Sequence, residues 1–248
     1  YFLIYKMYNE TFSLTFGDQG ENHVGMEKIG EIVEKGYGFN LEDFLNYENL
    51  FKKDNINYKI YNLNELYNSN IYKLETPNVY LMVIKNGIDY FLKDTNISSN
   101  DLYNQLTSIP WDTKYYDVRR KKVLNKNARH NICFGTTNSE PDYINKKGRI
   151  ISYNNIISLK LLKESLNNKF GNKFNNLICE GNRYYNLNKC GIGWHGDAER
   201  RKVVAFRVGK PMNLNFNWFY KFKSIGNTLK IELNHGDMYI MSEKAVGT

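Results

Sequence analysis

Cysteine is scarce in this chain, and its placement excludes two classes at once. Cys133, Cys179 and Cys190 are an odd number without CxxC spacing, so neither a disulfide framework nor a cysteine zinc finger is indicated. A reducing, intracellular setting follows. Long hydrophobic runs are also missing: none approaches the ~20 residues needed to span a membrane as a helix. The opening Tyr1-Phe2-Leu3-Ile4-Tyr5 lacks the anatomy of a signal peptide.

What is present is length and positive charge. A chain of 248 residues can form one large domain, or a domain with an accessory lobe, around a substantial core. Thirty-four basic against 26 acidic side chains leave a formal charge of +8. That balance favours an anionic partner such as nucleic acid, and it also fits a plainly basic surface. Heavy use of Asn, Lys, Ile and Tyr is the mark of an AT-rich genome, such as that of a giant virus.

Residues 12–16 alternate as a strand, and residues 22–35 carry Val24, Met26, Ile29, Ile32 and Val33 near helical spacing, which predicts a short helix before Gly36. His23, with Asp18 and Glu21 nearby, reads as polar decoration of that helix start. The polar stretch 41–74 yields one strand, at Tyr58 to Tyr61. Residues 79–84 and 88–92, joined at Asn86-Gly87, predict a hairpin. A soft boundary follows near residue 97, which divides the chain into an N-terminal accessory region, 1–97, and a main domain, 98–248.

In the main domain, residues 101–107 predict a helix behind a Ser/Asn cap, and residues 159–170 predict an amphipathic helix ending at Gly171. Between them Arg119, Arg120, Lys121, Lys122 and Arg129 form a basic segment. Interleaved with Trp111, Tyr115 and Tyr116, it suits phosphate contact and stacking on an unpaired base. Beyond Gly171 the period turns to two: Met212, Leu214, Phe216 and Trp218 alternate with asparagines, and Leu229, Ile231 and Leu233 alternate with polar residues. Short strands with frequent turns make this a mainly β, α+β chain of sandwich or jelly-roll type.

The chemistry centres on Gly191-Ile192-Gly193-Trp194-His195-Gly196-Asp197-Ala198-Glu199. Read as a strand, it turns His195 and Asp197 to the same side. An imidazole and a carboxylate so placed supply two of the three ligands of a 2-His-1-carboxylate iron site. Trp194 reads as a core residue.

Upstream stands Asn182-Arg183-Tyr184, and downstream Leu233-Asn234-His235-Gly236-Asp237. In this order the three blocks resemble the AlkB-like Fe(II)/2-oxoglutarate-dependent dioxygenases, over about residue 98 to the end. The resemblance implies a double-stranded β-helix (jelly roll) with flanking helices. It implies oxidative demethylation or hydroxylation of N-methylated bases in single-stranded or damaged DNA or RNA. Iron would be held by His195 and Asp197, and 2-oxoglutarate by Asn182 and Tyr184. Glu199 stands where the family carries an Asp that reads the flipped base, with Trp111 and Arg129 as further substrate contacts. The family's distal histidine, and the arginines for the far carboxylate of 2-oxoglutarate, would follow residue 248; the domain is expected to be C-terminally incomplete and to bind iron weakly. Oxidation of a protein or small molecule, and a non-catalytic nucleic-acid-binding module, are the alternatives.

Overall fold

The computed structural model describes residues 8–67 and 79–247. Residues 1–5 and 68–74, which the sequence reading touched on, lie outside them. The N-terminal part holds β1 (Thr11–Gly17), β2 (Gln19–Glu21), β3 (Lys28–Gly30), α1 (Leu41–Lys53), β4 (Tyr58–Asn62), β5 (Tyr80–Ile84) and α2 (Gly87–Leu92). The middle holds α3 (Ser99–Ser108), β6 (Lys114–Asp117), β7 (Lys122–Asn125), β8 (His130–Gly135), β9 (Ile150–Ser152), α4 (Ile157–Phe170) and β10 (Ile178–Tyr184). The remainder holds β11 (Val203–Gly209), β12 (Met212–Phe216), β13 (Phe219–Tyr220), β14 (Lys223–Ser224), β15 (Leu229–Leu233) and β16 (Met238–Met241). The protein is mainly β with added helices, an α+β arrangement. No helix among the described residues is long and apolar enough to cross a membrane.

Eight strands form one sheet in the order β4-β5-β16-β11-β1-β10-β8-β9, antiparallel except for the β8–β9 pair. At its centre, β1 pairs with both β10 and β11: Ser13 faces Asn182 on one side and Arg207 on the other. β4, β5 and β1 all come from before residue 97. The region expected to be accessory is therefore woven into the sheet, because its strands find their hydrogen-bond partners in the far half of the chain.

Strand alternation gives this sheet two unlike faces. On one, Phe12, Leu14 and Phe16 of β1 meet Val204, Phe206 and Val208 of β11 and Ile132 and Phe134 of β8, all buried. Burying each large side chain contributes about 2 kcal/mol. α4 covers this face with Leu159, Leu162 and Leu166 and stops at Gly171 with φ +70°, as its spacing foretold. α3 joins it behind a Ser98/Asp101 capping box. On the other face, Leu81, Val83, Val203, Ala205 and Tyr239 pack with Ile231 and Leu233 of the β12–β15 ribbon. Beside that apolar half lie Ser13, Asn131, Glu180, Asn182, Tyr184 and Arg207.

Two expected elements are replaced. Residues 22–35 form no helix: Gly25 and Gly30 both take positive φ, and Val24 and Ile32 are exposed. β2 and β3 pair as a small ribbon there instead. Asn86-Gly87 makes no hairpin, because β5 is already flanked by β4 and β16. Asn86 takes the left-handed conformation and α2 begins, with Gly87 so close to Met238 that a Cβ would lie 2.6 Å from that residue's own Cβ.

Candidate functional site

Residues 191–200 form a loop, not the strand expected for the HxD motif. Three glycines and no β-branched pair give the segment little preference for a ladder. The loop is nonetheless pinned. Gly191 N–H donates to Ala128 O at 3.0 Å, and Asp197 N–H to Val246 O at 2.9 Å. Gly196 lies against Gly247 so tightly that a Cβ would stand 2.6 Å from the Gly247 carbonyl oxygen.

Pinned in this way, the loop still brings His195 and Asp197 together, Nε2 to Oδ1 at 3.3 Å. His195 Nδ1 lies 2.8 Å from Gly193 O. A carbonyl can only accept, so Nδ1 carries the proton and, in the neutral ring, Nε2 presents its lone pair toward the carboxylate. The hydrogen bond to Asp197 raises the His195 pKa above its ordinary value, against the opposing effect of burial. Burial pushes the Asp197 carboxyl up, but His195 and the charge of Arg200 outweigh it and hold it below the usual carboxylate range.

Arg200 organises the carboxylates around this pair. Its Nε lies 3.3 Å from Asp197 Oδ2, and its Nη2 lies 2.6 Å from Glu180 Oε2 and 2.7 Å from Glu199 Oε1. Burial disfavours the guanidinium charge, yet Glu180, Asp197 and Glu199 together raise its pKa above the ordinary arginine value. Three carboxylates around one cation leave a local excess of negative charge. Glu199 is thus committed to Arg200, a different situation from a side chain free to read a base.

Asn182 sits on the same face of β10 as Glu180 and is fully engaged. Its Oδ1 accepts from Arg129 Nε at 2.6 Å and from Asn131 Nδ2 at 2.7 Å, and its Nδ2 donates to Glu180 Oε1 at 3.1 Å. Tyr184, buried two positions on, has the Arg207 guanidinium 6.0 Å from its ring centre. The structure therefore gathers His195, Asp197, Glu199, Asn182 and Arg129 into one network with Tyr184 at its edge. Trp111 stands apart from it. Its ring stacks on Phe12, its Nε1 donates to Leu106 O at 2.9 Å, and it is buried in the main core, out of reach of a nucleobase.

The exposed aromatic is Trp194, which the sequence reading placed in the core. It is 53% exposed and sits 5.7 Å from the ring of Phe219, at the base of the β13–β14 hairpin. Tyr220 and Phe222 are exposed on that hairpin too, with Lys221 between them. The basic residues Arg119, Arg120, Lys121 and Lys122 cap a second hairpin, β6–β7, whose turn is wholly exposed. His23 stacks on Tyr115, ring centres 3.7 Å apart, and His235 Nδ1 accepts from Gly209 N–H. Neither joins the network. Arg200, Glu180 and Asn131 were missed in the sequence. Only their places on β10, β8 and the loop reveal them, although Arg200 three residues after Asp197 was a signal within reach.

Among the described residues no group of three or more His, Cys, Asp or Glu side chains converges as a metal site, so His195 and Asp197 stand as a two-donor pair. No family model matches the chain and no solved structure matches it. It belongs to the same family as "Uncharacterized protein R156" of Acanthamoeba polyphaga mimivirus, with which it is 40% identical over 240 residues, spanning 96% of this chain and 90% of that protein.

Proposed function

We propose that this protein is an AlkB-like Fe(II)- and 2-oxoglutarate-dependent dioxygenase that oxidises N-methylated bases in nucleic acid, inside the cell. The carrying observation is the His195 Nε2 to Asp197 Oδ1 approach of 3.3 Å with Nδ1 anchored on Gly193 O, directly beside the polar strand face of Asn182 and Tyr184. The apolar half of that face, packed on the β12–β15 ribbon, supports a double-stranded β-helix in which the ribbon belongs to the smaller sheet.

The donor set fits the iron in part. His195 offers a neutral nitrogen and Asp197 a carboxylate, and the surplus of carboxylates favours a cation. When bound, iron and 2-oxoglutarate supply oxidation of a substrate C–H bond. The protein's own residues do the positioning: Gly193 fixes the imidazole tautomer, Arg200 orients the Asp197 carboxylate, and Arg129 and Asn131 hold Asn182 still. Trp194, Phe219, Tyr220 and Phe222, with Lys221 and the basic β6–β7 turn, offer stacking surfaces and phosphate contacts for an unpaired strand.

A second reading has its own support. Arg200 occupies one oxygen of Asp197, and two donors alone hold iron weakly, which favours a nucleic-acid-binding module without turnover. The test is Fe(II)-dependent 2-oxoglutarate decarboxylation by the complete gene product, with and without a methylated single-stranded oligonucleotide, beside His195→Ala. Stimulation by the oligonucleotide and loss of turnover in the variant are expected. Turnover that ignores nucleic acid would move the substrate to a protein or small molecule, and no turnover with tight oligonucleotide binding would favour the module.

A further inference from the structure

Three turns on one side of the molecule are tied at their bases to a buried polar hub made of Asn22, Asp112 and Lys126. Lys126, just past β7, donates from Nζ to Asn22 Oδ1 at 2.7 Å and to Asn22 O at 3.2 Å. Asn22 Nδ2 donates to Asp112 Oδ2 at 3.1 Å, and the Tyr143 hydroxyl donates to Asp112 Oδ1 at 2.9 Å. The hub thereby anchors the turn between β2 and β3, the β6–β7 hairpin and the turn at 142–147. Above it the turns brace one another. The His23 ring lies on Tyr115, a Cβ on Gly25 would stand 2.8 Å from Val118 Cγ2, and Glu27 N–H donates to Lys146 O at 2.8 Å. The proposed oxidation uses none of these groups.

Each of the three turns carries one aliphatic side chain out into solvent. Val24 is 81% exposed, Ile144 75% and Val118 48%. Because the bases are fixed, these side chains cannot fold back out of water, and their exposure is a standing cost. Cations surround them. Arg119, Arg120, Lys121 and Lys122 follow Val118, Lys146 and Lys147 follow Ile144, and all six are exposed. They outnumber the acids Glu27, Asp117 and Asp142. Of these, Asp117 accepts from Arg120 N–H at 2.6 Å and Asp142 from Asn145 Nδ2 at 2.6 Å, so both carboxylates are turned back onto their own turns.

We propose that this three-turn platform docks the protein on an anionic lipid surface, with Val24, Val118 and Ile144 dipping to the acyl boundary and the surrounding lysines and arginines on the headgroup phosphates. The layering matches a membrane: phosphate charge at the rim, hydrocarbon directly behind it. Long basic side chains can stay at the phosphate level while the tips go deeper. Nucleic acid offers the same phosphates, but β-branched tips present no π-face on which a base can stack. Separate protruding turns form no groove for a peptide either. The platform stands on the hub and the three tips, so it holds whether or not the protein is a dioxygenase.

The experiment is co-sedimentation of the full chain with vesicles of phosphatidylcholine alone and of equal parts phosphatidylcholine and phosphatidylserine, beside binding to a single-stranded oligonucleotide. Wild type should bind the anionic vesicles and not the neutral ones, and added salt should weaken the binding. Changing Lys146 and Lys147 to Gln should cost about fivefold for each charge. Changing Val24 and Ile144 to Gln should cost about tenfold for the pair, with an unchanged Tm because both side chains are exposed, and should leave oligonucleotide affinity as in wild type. Ile144→Ser alone covers the case in which the double variant fails to fold, and should lose about threefold. Absence of vesicle binding by wild type overturns the proposal, as does unchanged vesicle affinity in the folded tip variants. A tip variant that loses oligonucleotide affinity as much as vesicle affinity also overturns it and gives the platform to nucleic acid.

Discussion

Arg200 and His195 answer different questions about the same few ångströms. Arg200 is the sole cation within ion-pair distance of Glu180 among the described residues, and both are buried. Replacing Arg200 with Met strands that carboxylate in the core, and a loss of about 3–5 kcal/mol in denaturant unfolding is expected. The loss should shrink on acidification, since the charge of Arg200 helps hold the Asp197 carboxyl below the usual carboxylate range, and that contribution disappears as pH falls through the lowered value. His195 has a raised pKa. Its ion pair with Asp197 is fully formed below the ordinary histidine value and disappears as pH rises through the raised one. Metal binding has the opposite sign, because a ligand nitrogen must be free of its proton. Mn(II) affinity measured by electron paramagnetic resonance should therefore climb between about pH 6 and 8, the range of histidine titration, and His195→Ala should abolish the climb.

At the level of elements, the candidate loop is held by backbone contacts more than by its own conformational preference. Gly196→Ala would force its Cβ into the Gly247 carbonyl and push Asp197 off Val246. Weaker Mn(II) binding is expected with a small change in Tm, since the loop buries little apolar surface; a Tm drop as large as that of a core substitution would contradict this account. The elements most legible in the sequence are those whose pattern is local. β1, α3, α4, β12 and β15 each announce themselves by period or cap. α1 was missed although Asn40 and Asp43 form a capping box and Phe44, Tyr47 and Phe51 line one side, because asparagines and lysines between them hid the stripe. The Asn86-Gly87 turn was misread for a different reason. The dipeptide supplied one left-handed residue, as its chemistry allows, but the partner of β5 was decided by strands far away in the chain. The place of Arg200 among three carboxylates was invisible for the same reason, since a charge finds its partners only in three dimensions.

For the molecule as a whole, the surplus of eight positive charges is arranged so that the β6–β7 turn carries four of the basic side chains together. Oligonucleotide binding should weaken steeply with salt. Changing Arg119, Arg120, Lys121 and Lys122 together to Gln should flatten the log–log slope by roughly 0.7 for each phosphate contact removed from a single strand. An unchanged slope would move the interface elsewhere on the surface, with the aromatic β13–β14 hairpin the next place to probe.

The central position of β1 also bears on how the protein is made. Thr11 waits for Tyr184 on one side and Gly209 on the other, so the strand that fills the middle of the sheet leaves the ribosome long before either of its partners. Until β10 and β11 emerge, Phe12, Leu14 and Phe16 have no sheet to lie in, and at ~5–20 residues per second that interval lasts on the order of ten seconds or more. Synthesis therefore passes through a stage with a long, apolar strand exposed on a growing chain, a stage at which a chaperone has something to hold and at which a neighbouring copy can be mistaken for the missing half.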